Sequence, residues 1–197
     1  MNVLVVYSHP VGESFNAAVR DAVVNELANT HHDLRLRDLY AEEFNPFLSA
    51  RERALLRASP STRPELARDV ADLRWCNAIV FIYPTWWSGL PAMLKGWIDR
   101  TWMNEVASIL PEGANRIRPL LTNITRLVAV TTHGSPKWIN ALEGESGKRT
   151  ITRSIRFMCN RWCRARWIAF YGMDRASPKR RTAHLQTVGG RVVRALR

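Results

Sequence analysis

With 197 residues, 46% of them apolar, the chain has material for one substantial core, expected as a single domain over residues 1–197, and no run approaches the roughly 18 to 20 consecutive apolar residues of a membrane-spanning helix. The cysteines Cys76, Cys159 and Cys163 are odd in number and lack CxxC spacing or a nearby His pair, which argues against a disulfide framework or a zinc site and for buried reduced thiols. The net charge of +12 is lopsided: residues 148–197 carry 14 Lys and Arg against one acid, Asp174, whereas residues 1–147 carry 15 against 16. Such a basic end suits an acidic partner, a nucleic acid or a membrane surface, or else a solvated helix face that helps attract phosphate-bearing cofactors. The last reading is taken, with no nucleic-acid partner expected. Met1–Tyr7 is too short and uncharged for a signal peptide, so the expected location is cytoplasmic.

Along the chain, short apolar runs alternate with longer amphipathic ones. Asn2–Tyr7 (NVLVVY) is β-branched without polar alternation, as in a strand buried on both faces. Phe15–Asn29 repeats Phe15, Val19, Val23 and Leu27 every four residues and predicts a helix. Leu34–Leu39 alternates like a more exposed strand, and Ala50–Arg57 and Pro64–Trp75 have helical spacing, with Pro60 and Pro64 marking the start of the second. Ala78–Tyr83 (AIVFIY) is the strongest strand signal; a helix from Pro91 through Trp102 follows a short loop. Arg126–Thr132 predicts a fourth strand, His133–Gly147 a long loop, Lys148–Arg164 a basic helix, Trp167–Tyr171 a fifth strand and Pro178–Leu196 a closing helix. Five strands separated by helices predict a doubly wound α/β parallel sheet of order 2-1-3-4-5 with helices on both faces, its ligand crevice at the carboxyl ends of the strands.

The loops after strands one, three and four therefore carry the chemistry. In the first, Ser8–Asn16, a helix start offers free N–H groups and partial positive charge to a phosphate, with His9, Ser14 and Asn16 as further polar groups and Glu13 facing solvent; equally, Ser14 caps the helix and His9 fills a turn. The second, Pro84-Thr85-Trp86-Trp87-Ser88-Gly89-Leu90-Pro91, places two tryptophans at the crevice mouth, where indoles cover a flat heteroaromatic ring; one of the pair also suits the core. The third, Thr131-Thr132-His133-Gly134-Ser135-Pro136-Lys137-Trp138, combines hydroxyls and successive N–H groups into a donor cluster. No G-x-G-x-x-G or G-x-x-x-x-G-K-[ST] sequence is present, so neither a Rossmann dinucleotide site nor a nucleotide-hydrolysing loop is supported.

Four ordered blocks now stand together: His9 with Ser14-Phe15-Asn16; Asp38-Leu39-Tyr40 with Phe44-Asn45-Pro46; the run Pro84–Arg100; and Thr131-Thr132-His133-Gly134. Over about residues 1–135 the chain resembles the flavodoxin-like NAD(P)H dehydrogenase (quinone) family, which includes DT-diaphorase and bacterial quinone reductases. The resemblance implies a flavodoxin-like fold, noncovalent FAD or FMN, NAD(P)H as co-substrate, a quinone-like acceptor and a homodimer. By position it assigns His9, Ser14, Phe15 and Asn16 to the flavin phosphate region. Pro84, Thr85, Trp86, Trp87 and Ser88 fall to the isoalloxazine and ribityl chain, and Thr131, Thr132, His133 and Gly134 to the pyrimidine end.

His133 stands where family members commonly have the first of two glycines, and the tyrosine and histidine that assist flavin reduction in the animal enzymes have no match after Ser135; Ile139 and Glu143-Gly144 occupy that stretch. No catalytic acid is transferred. His133, as a donor to the flavin, and Trp138, as a pocket wall, are the catalytic-site candidates. The implied reaction is a two-step exchange: hydride passes from the nicotinamide to the flavin, and then to an acceptor that enters the same pocket. The alternative is a flavin-bearing regulatory or docking subunit whose basic end binds an acidic partner such as a transporter domain. A one-electron carrier is disfavoured by the basic charge. Met93, Trp97, Ile98 and Trp102 of the helix after the second loop are expected at a dimer interface, Trp97 equally suiting the core.

Overall fold

The computed structural model describes residues 1–54 and 63–197. In chain order the elements are β1 (Asn2–Tyr7), α1 (Phe15–Ala28), β2 (Asp33–Asp38), α2 (Ala50–Ala54), α3 (Ala67–Trp75), β3 (Ala78–Pro84), α4 (Ala92–Thr101), β4 (Ser108–Ile109), β5 (Arg118–Pro119), β6 (Arg126–Thr132), α5 (Lys137–Leu142), α6 (Ser146–Arg149), β7 (Arg164–Phe170) and α7 (Pro178–Leu196). β1, β2, β3, β6 and β7 form a parallel sheet in the order β2-β1-β3-β6-β7, which is the predicted 2-1-3-4-5 once the short β4–β5 hairpin is set aside.

Side-chain alternation divides the core between the two faces of this sheet. Leu4, Val6, Ile79, Phe81 and Leu127 face α3 and α4, with Leu73, Leu94 and Trp97 packed on them. Val3, Val5, Val80, Ile82, Val128 and Val130 face α1 and α7, where Val19, Val23, Leu27, Val188, Val192 and Leu196 cover them. Burial on both sides explains why β1 and β3 read as unbroken apolar runs. The edge strand β2 instead carries Arg37, which is buried with Asp69, Asp72 and Glu42 around it; Asp69 also accepts a 2.7 Å hydrogen bond from Trp97 Nε1.

Several boundaries differ from the prediction. Pro64–Leu66 forms a 3₁₀ turn before α3 proper, α2 is seen over Ala50–Ala54, and the remainder of its predicted span, Leu55–Arg57, lies outside the described residues, as does Pro60. The stretch His133–Gly147, predicted as a loop, contains α5. Lys148–Arg164 is not one helix: α6 passes into a π-helical turn, Thr150–Ile155, and the chain then reverses through Asn160–Cys163 so that β7 starts at Arg164, three residues before the predicted strand. Tertiary hydrogen bonds impose that reversal, Asn160 N–H donating to Ile124 O at 3.0 Å and Arg164 N–H to Thr125 O at 3.0 Å.

Ile98 is corrected from interface to core, and Trp97 takes the core alternative, both being buried inside the chain. All three cysteines are buried and unpaired. Among the described residues no helix is long and apolar enough to cross a membrane.

Candidate functional site

The carboxyl ends of β1, β3, β6 and β7 open into a cleft of about 690 Å³, within the roughly 300–1,000 Å³ range of small-molecule sites. The three predicted loops meet there. His9, Ser14, Phe15, Asn16, Pro84, Thr85, Trp86, Trp87, Ser88, Thr132, His133 and Gly134 all line it. Thr131 does not: it is buried behind Thr85, with the two hydroxyl oxygens 2.8 Å apart. Trp138 is displaced as well. The helical turn of α5 carries it into a neighbouring groove with Ile139, Arg175 and Arg180, which joins the cleft through Gly134, Ser135 and Asp174.

At the first loop, Ser14 Oγ accepts from Ala17 N–H at 3.1 Å and caps α1, whose first turn carries no acid; Glu13 is exposed as predicted. The capping reading of Ser14 is observed, and a capped helix start still presents free N–H groups. His9 Nδ1 meets both Val11 N, at 3.1 Å, and Val11 O, at 3.2 Å; burial lowers the pKa of this ring, against the raising effect of the Val11 backbone contact. Asn16 is buried and donates through Nδ2 to Thr132 Oγ1 at 2.9 Å, while its Oδ1 has no partner among the described residues.

The second loop is a tight turn, with Gly89 N–H donating to Trp86 O at 3.0 Å. Trp87 and Ser88 take φ of 48° and 58°, the signature of a type I′ turn, although neither is glycine. Left-handed backbone costs an L-residue about 1–2 kcal/mol, and such strain concentrates at functional sites. The turn is held from outside: Ser88 Oγ donates to Glu143, and Ser88 O accepts from Ser146 Oγ at 2.5 Å. Trp87 is fully exposed and Trp86 partly so, tilted over His9 with ring centroids 6.0 Å apart. Neither indole belongs to the core.

In the third loop the predicted run of free amides is shorter than expected, because His133 N–H is spent on Phe170 O at 2.9 Å, where the sheet pairing continues. The amides of Gly134 and Ser135 donate to no acceptor among the described residues. Gly134 packs closely on the Asp174 carboxylate, which a Cβ there would meet at 2.5 Å and push aside. His133 is buried, stacked on Tyr171 with centroids 4.5 Å apart, and its Nδ1 is 2.6 Å from Asn140 Oδ1. Burial lowers its pKa, against the raising effect of the Asn140 bond and of Glu145 and Glu143. On the other side of the ring, Nε2 lies 3.3 Å from Thr85 Oγ1. Tyr171 is pushed up to about 12 by burial and by Glu145, to which its hydroxyl donates at 2.5 Å.

Ser135, Asn140, Glu143, Met173 and Asp174 complete the cleft and were not among the predicted site residues. Asn140 and Glu143 carry the i,i+3 spacing of a helix face, a signal hidden in a stretch taken for loop. Met173 and Asp174 follow the strand beside β6, where the rule of carboxyl-end loops would have found them.

A family model described as flavodoxin-like fold matches residues 1–193. Human ribosyldihydronicotinamide dehydrogenase (quinone) is 28% identical over 149 residues, 68% of this chain and 64% of that protein. Among solved structures, Smu.1420 from Streptococcus mutans is similar with a TM-score of 0.83 at 26% identity, covering 96% of this chain and 97% of that one. An NAD(P)H:quinone oxidoreductase from Methanothermobacter marburgensis has the same fold, with a TM-score of 0.81 at 24% identity over 100% of this chain and 99% of that one. The chain spans about half the length of the curated relatives it matches, 44%, 64% and 54% for three of them. Sheet order, cleft position and a match over nearly the whole length agree, and the chain belongs to the flavodoxin-like fold family.

Proposed function

We propose that this chain is a flavin-dependent oxidoreductase that moves hydride from NAD(P)H, by way of noncovalently bound FAD or FMN, to a quinone or similar acceptor. The observation that carries the reading is the Trp86–Ser88 turn: two exposed indoles, Trp87 on left-handed backbone, lining one cleft with the capped start of α1. That pairing suits a ligand with a flat aromatic end and an anionic end. The names of the human and archaeal relatives favour the same chemistry.

The donor set fits a flavin. His9 and the N–H groups at the start of α1 would hold its phosphate, the unpartnered Asn16 Oδ1 would take a ribityl hydroxyl, and Trp86, Trp87 and Pro84 would flank the ring. When bound, the flavin supplies two-electron hydride chemistry. The chain's own residues orient both partners: the indoles exclude water from the ring face, and the Gly134 and Ser135 amides offer preorganised donors where negative charge gathers. The single domain acts as a homodimer in this reading. Three buried, unpaired thiols suit a reducing cytoplasm.

A second reading, a flavin-bearing docking subunit for an acidic partner, draws on Arg149, Arg153, Arg156, Arg161, Arg164 and Arg166. All six are exposed, and none pairs with a carboxylate among the described residues. Cofactor release by heat with identification by mass, followed by steady-state NAD(P)H oxidation with a quinone, tests the proposal. A yellow protein that turns over quinone supports the enzyme; flavin binding without turnover of any quinone tried favours docking; no flavin sinks both.

A further inference from the structure

The floor of the cleft holds a chain of hydrogen bonds whose direction is set from one end. Asn140 Nδ2 donates to Ser135 O at 3.1 Å and to Pro136 O at 2.9 Å. Carbonyl oxygens only accept, so flipping this amide would turn its own oxygen onto two others, and Oδ1 must face His133. With Oδ1 at 2.6 Å, the proton of His133 resides on Nδ1. The ring is neutral: it is buried, Trp167 and Tyr171 cover it, and the nearby acids Glu143 and Glu145 are bonded to Ser88, and to Lys148 and Tyr171. Nε2 is therefore an acceptor, and Thr85 Oγ1, 3.3 Å away, donates to it. With its own proton committed to His133, Thr85 accepts from Thr131 Oγ1 at 2.8 Å, a shorter contact for that hydroxyl than Thr132 O at 3.5 Å. The protons run from Thr131 to Thr85 to His133 to Asn140.

Thr85, His133 and Asn140 all line the cleft, and Asn140 reaches Thr85 only through His133. We infer that Asn140 is a positioning residue which, through His133, turns the Thr85 hydroxyl into a hydrogen-bond acceptor, so that the ligand edge meeting Thr85 carries an N–H or O–H donor. A ligand edge of carbonyl oxygens alone would meet a lone pair there and be disfavoured. The identity of the ring rests on the flavin reading: oxidised isoalloxazine has a single N–H, the imide between two carbonyls, and that is the edge Thr85 selects.

Two measurements decide it. In the ligand-free protein, the ¹⁵N shifts of the His133 ring, assigned by their loss in His133→Gln, should report the Nδ1–H tautomer, and Asn140→Leu should abolish that preference. Dissociation constants for FMN and N3-methyl FMN, read by flavin fluorescence, should differ by about 10-fold or more in the wild type, the size of one hydrogen bond whose buried acceptor is left unpaired. The gap should shrink to roughly two-fold in Thr85→Val, a near-isosteric change that decides the point if Asn140→Leu fails to fold. An Nε2–H tautomer in the wild type, or equal binding of the two probes, overturns the inference. If neither probe binds, the flavin site itself falls, and the ring spectrum still decides the direction of the chain.

Discussion

The rings of His184 and Phe170 lie 4.7 Å apart, and His184 Nε2, on the buried face of α7, has no hydrogen-bond partner among the described residues. Burial, with Arg191 and Arg180 nearby, pushes this imidazole down to about 4. The unfolded ring titrates near 6.5. Above that pH both states are neutral and the group has no effect. Between pH 6.5 and 4 the unfolded chain takes up a proton that the folded chain refuses, so stability falls with pH by up to about 1.4 kcal/mol per unit, roughly 3 kcal/mol in all. Urea unfolding at pH 7 and pH 5 should show about 2 kcal/mol of this loss in the wild type and a smaller one in His184→Phe. Equal losses would show that another group governs acid sensitivity.

Trp87→Ala should weaken FMN binding about five-fold, the equivalent of the ~1 kcal/mol typical of an aromatic stacking contact. Trp87→Gly should bind FMN as weakly as the alanine variant, yet be more stable by about 1 kcal/mol because glycine accepts the φ of 48° without strain. Fluorescence titration and thermal melts separate the two effects. Unchanged affinity in both variants would remove Trp87 from the site.

Gly96 lets α4 lie directly on the segment that carries Pro46, and a methyl group there would sit 2.7 Å from Pro46 Cα. Alanine normally favours a helix interior over glycine by about 1 kcal/mol. Here the backbone clash outweighs that gain, and Gly96→Ala should destabilise by about 1–3 kcal/mol. Arg100 Nη1 holds the same segment through Asn45 O at 2.5 Å, so Arg100→Met should loosen it too. A Gly96→Ala melting temperature at or above that of the wild type would contradict the packing.

The basic C-terminal quarter should make NADPH at least as good a substrate as NADH at low salt. Arg175 and Arg180 line the groove that joins the cleft, whereas Arg156 lines another groove with Pro119 and Phe157. Arg175→Glu should therefore lower the NADPH-to-NADH ratio of kcat/KM by roughly five-fold, and Arg156→Glu should change it little. A direct arginine–phosphate pair would keep most of its effect at 0.15 M salt, where the Debye length is about 8 Å, and long-range steering would fade. A strong NADH preference at every salt concentration, unmoved by Arg175→Glu, would favour the docking reading.

What the sequence by itself determined is the part ruled by local pattern. Strands buried on both faces must be apolar without a break, as in Asn2–Tyr7 and Ala78–Tyr83, and a helix with one buried face repeats as Phe15, Val19, Val23 and Leu27 do. Parallel order and right-handed crossovers then bring the ends of β1, β3 and β6 together, so the His9, Trp86 and His133 loops could be named as one site before any coordinate. Only the tertiary structure decided the rest. β7 begins at Arg164 because its backbone pairs with Thr125, nearly forty residues away, and no local period signals that partner. Trp97 belongs to the core because Asp69 receives its N–H, and its aromatic character alone suited an interface equally well. The proton of His133 points away from Thr85 because Asn140 is anchored by Ser135 and Pro136. Hydrogen-bond direction depends on which groups meet in space, and that is settled only when α5 folds against β6.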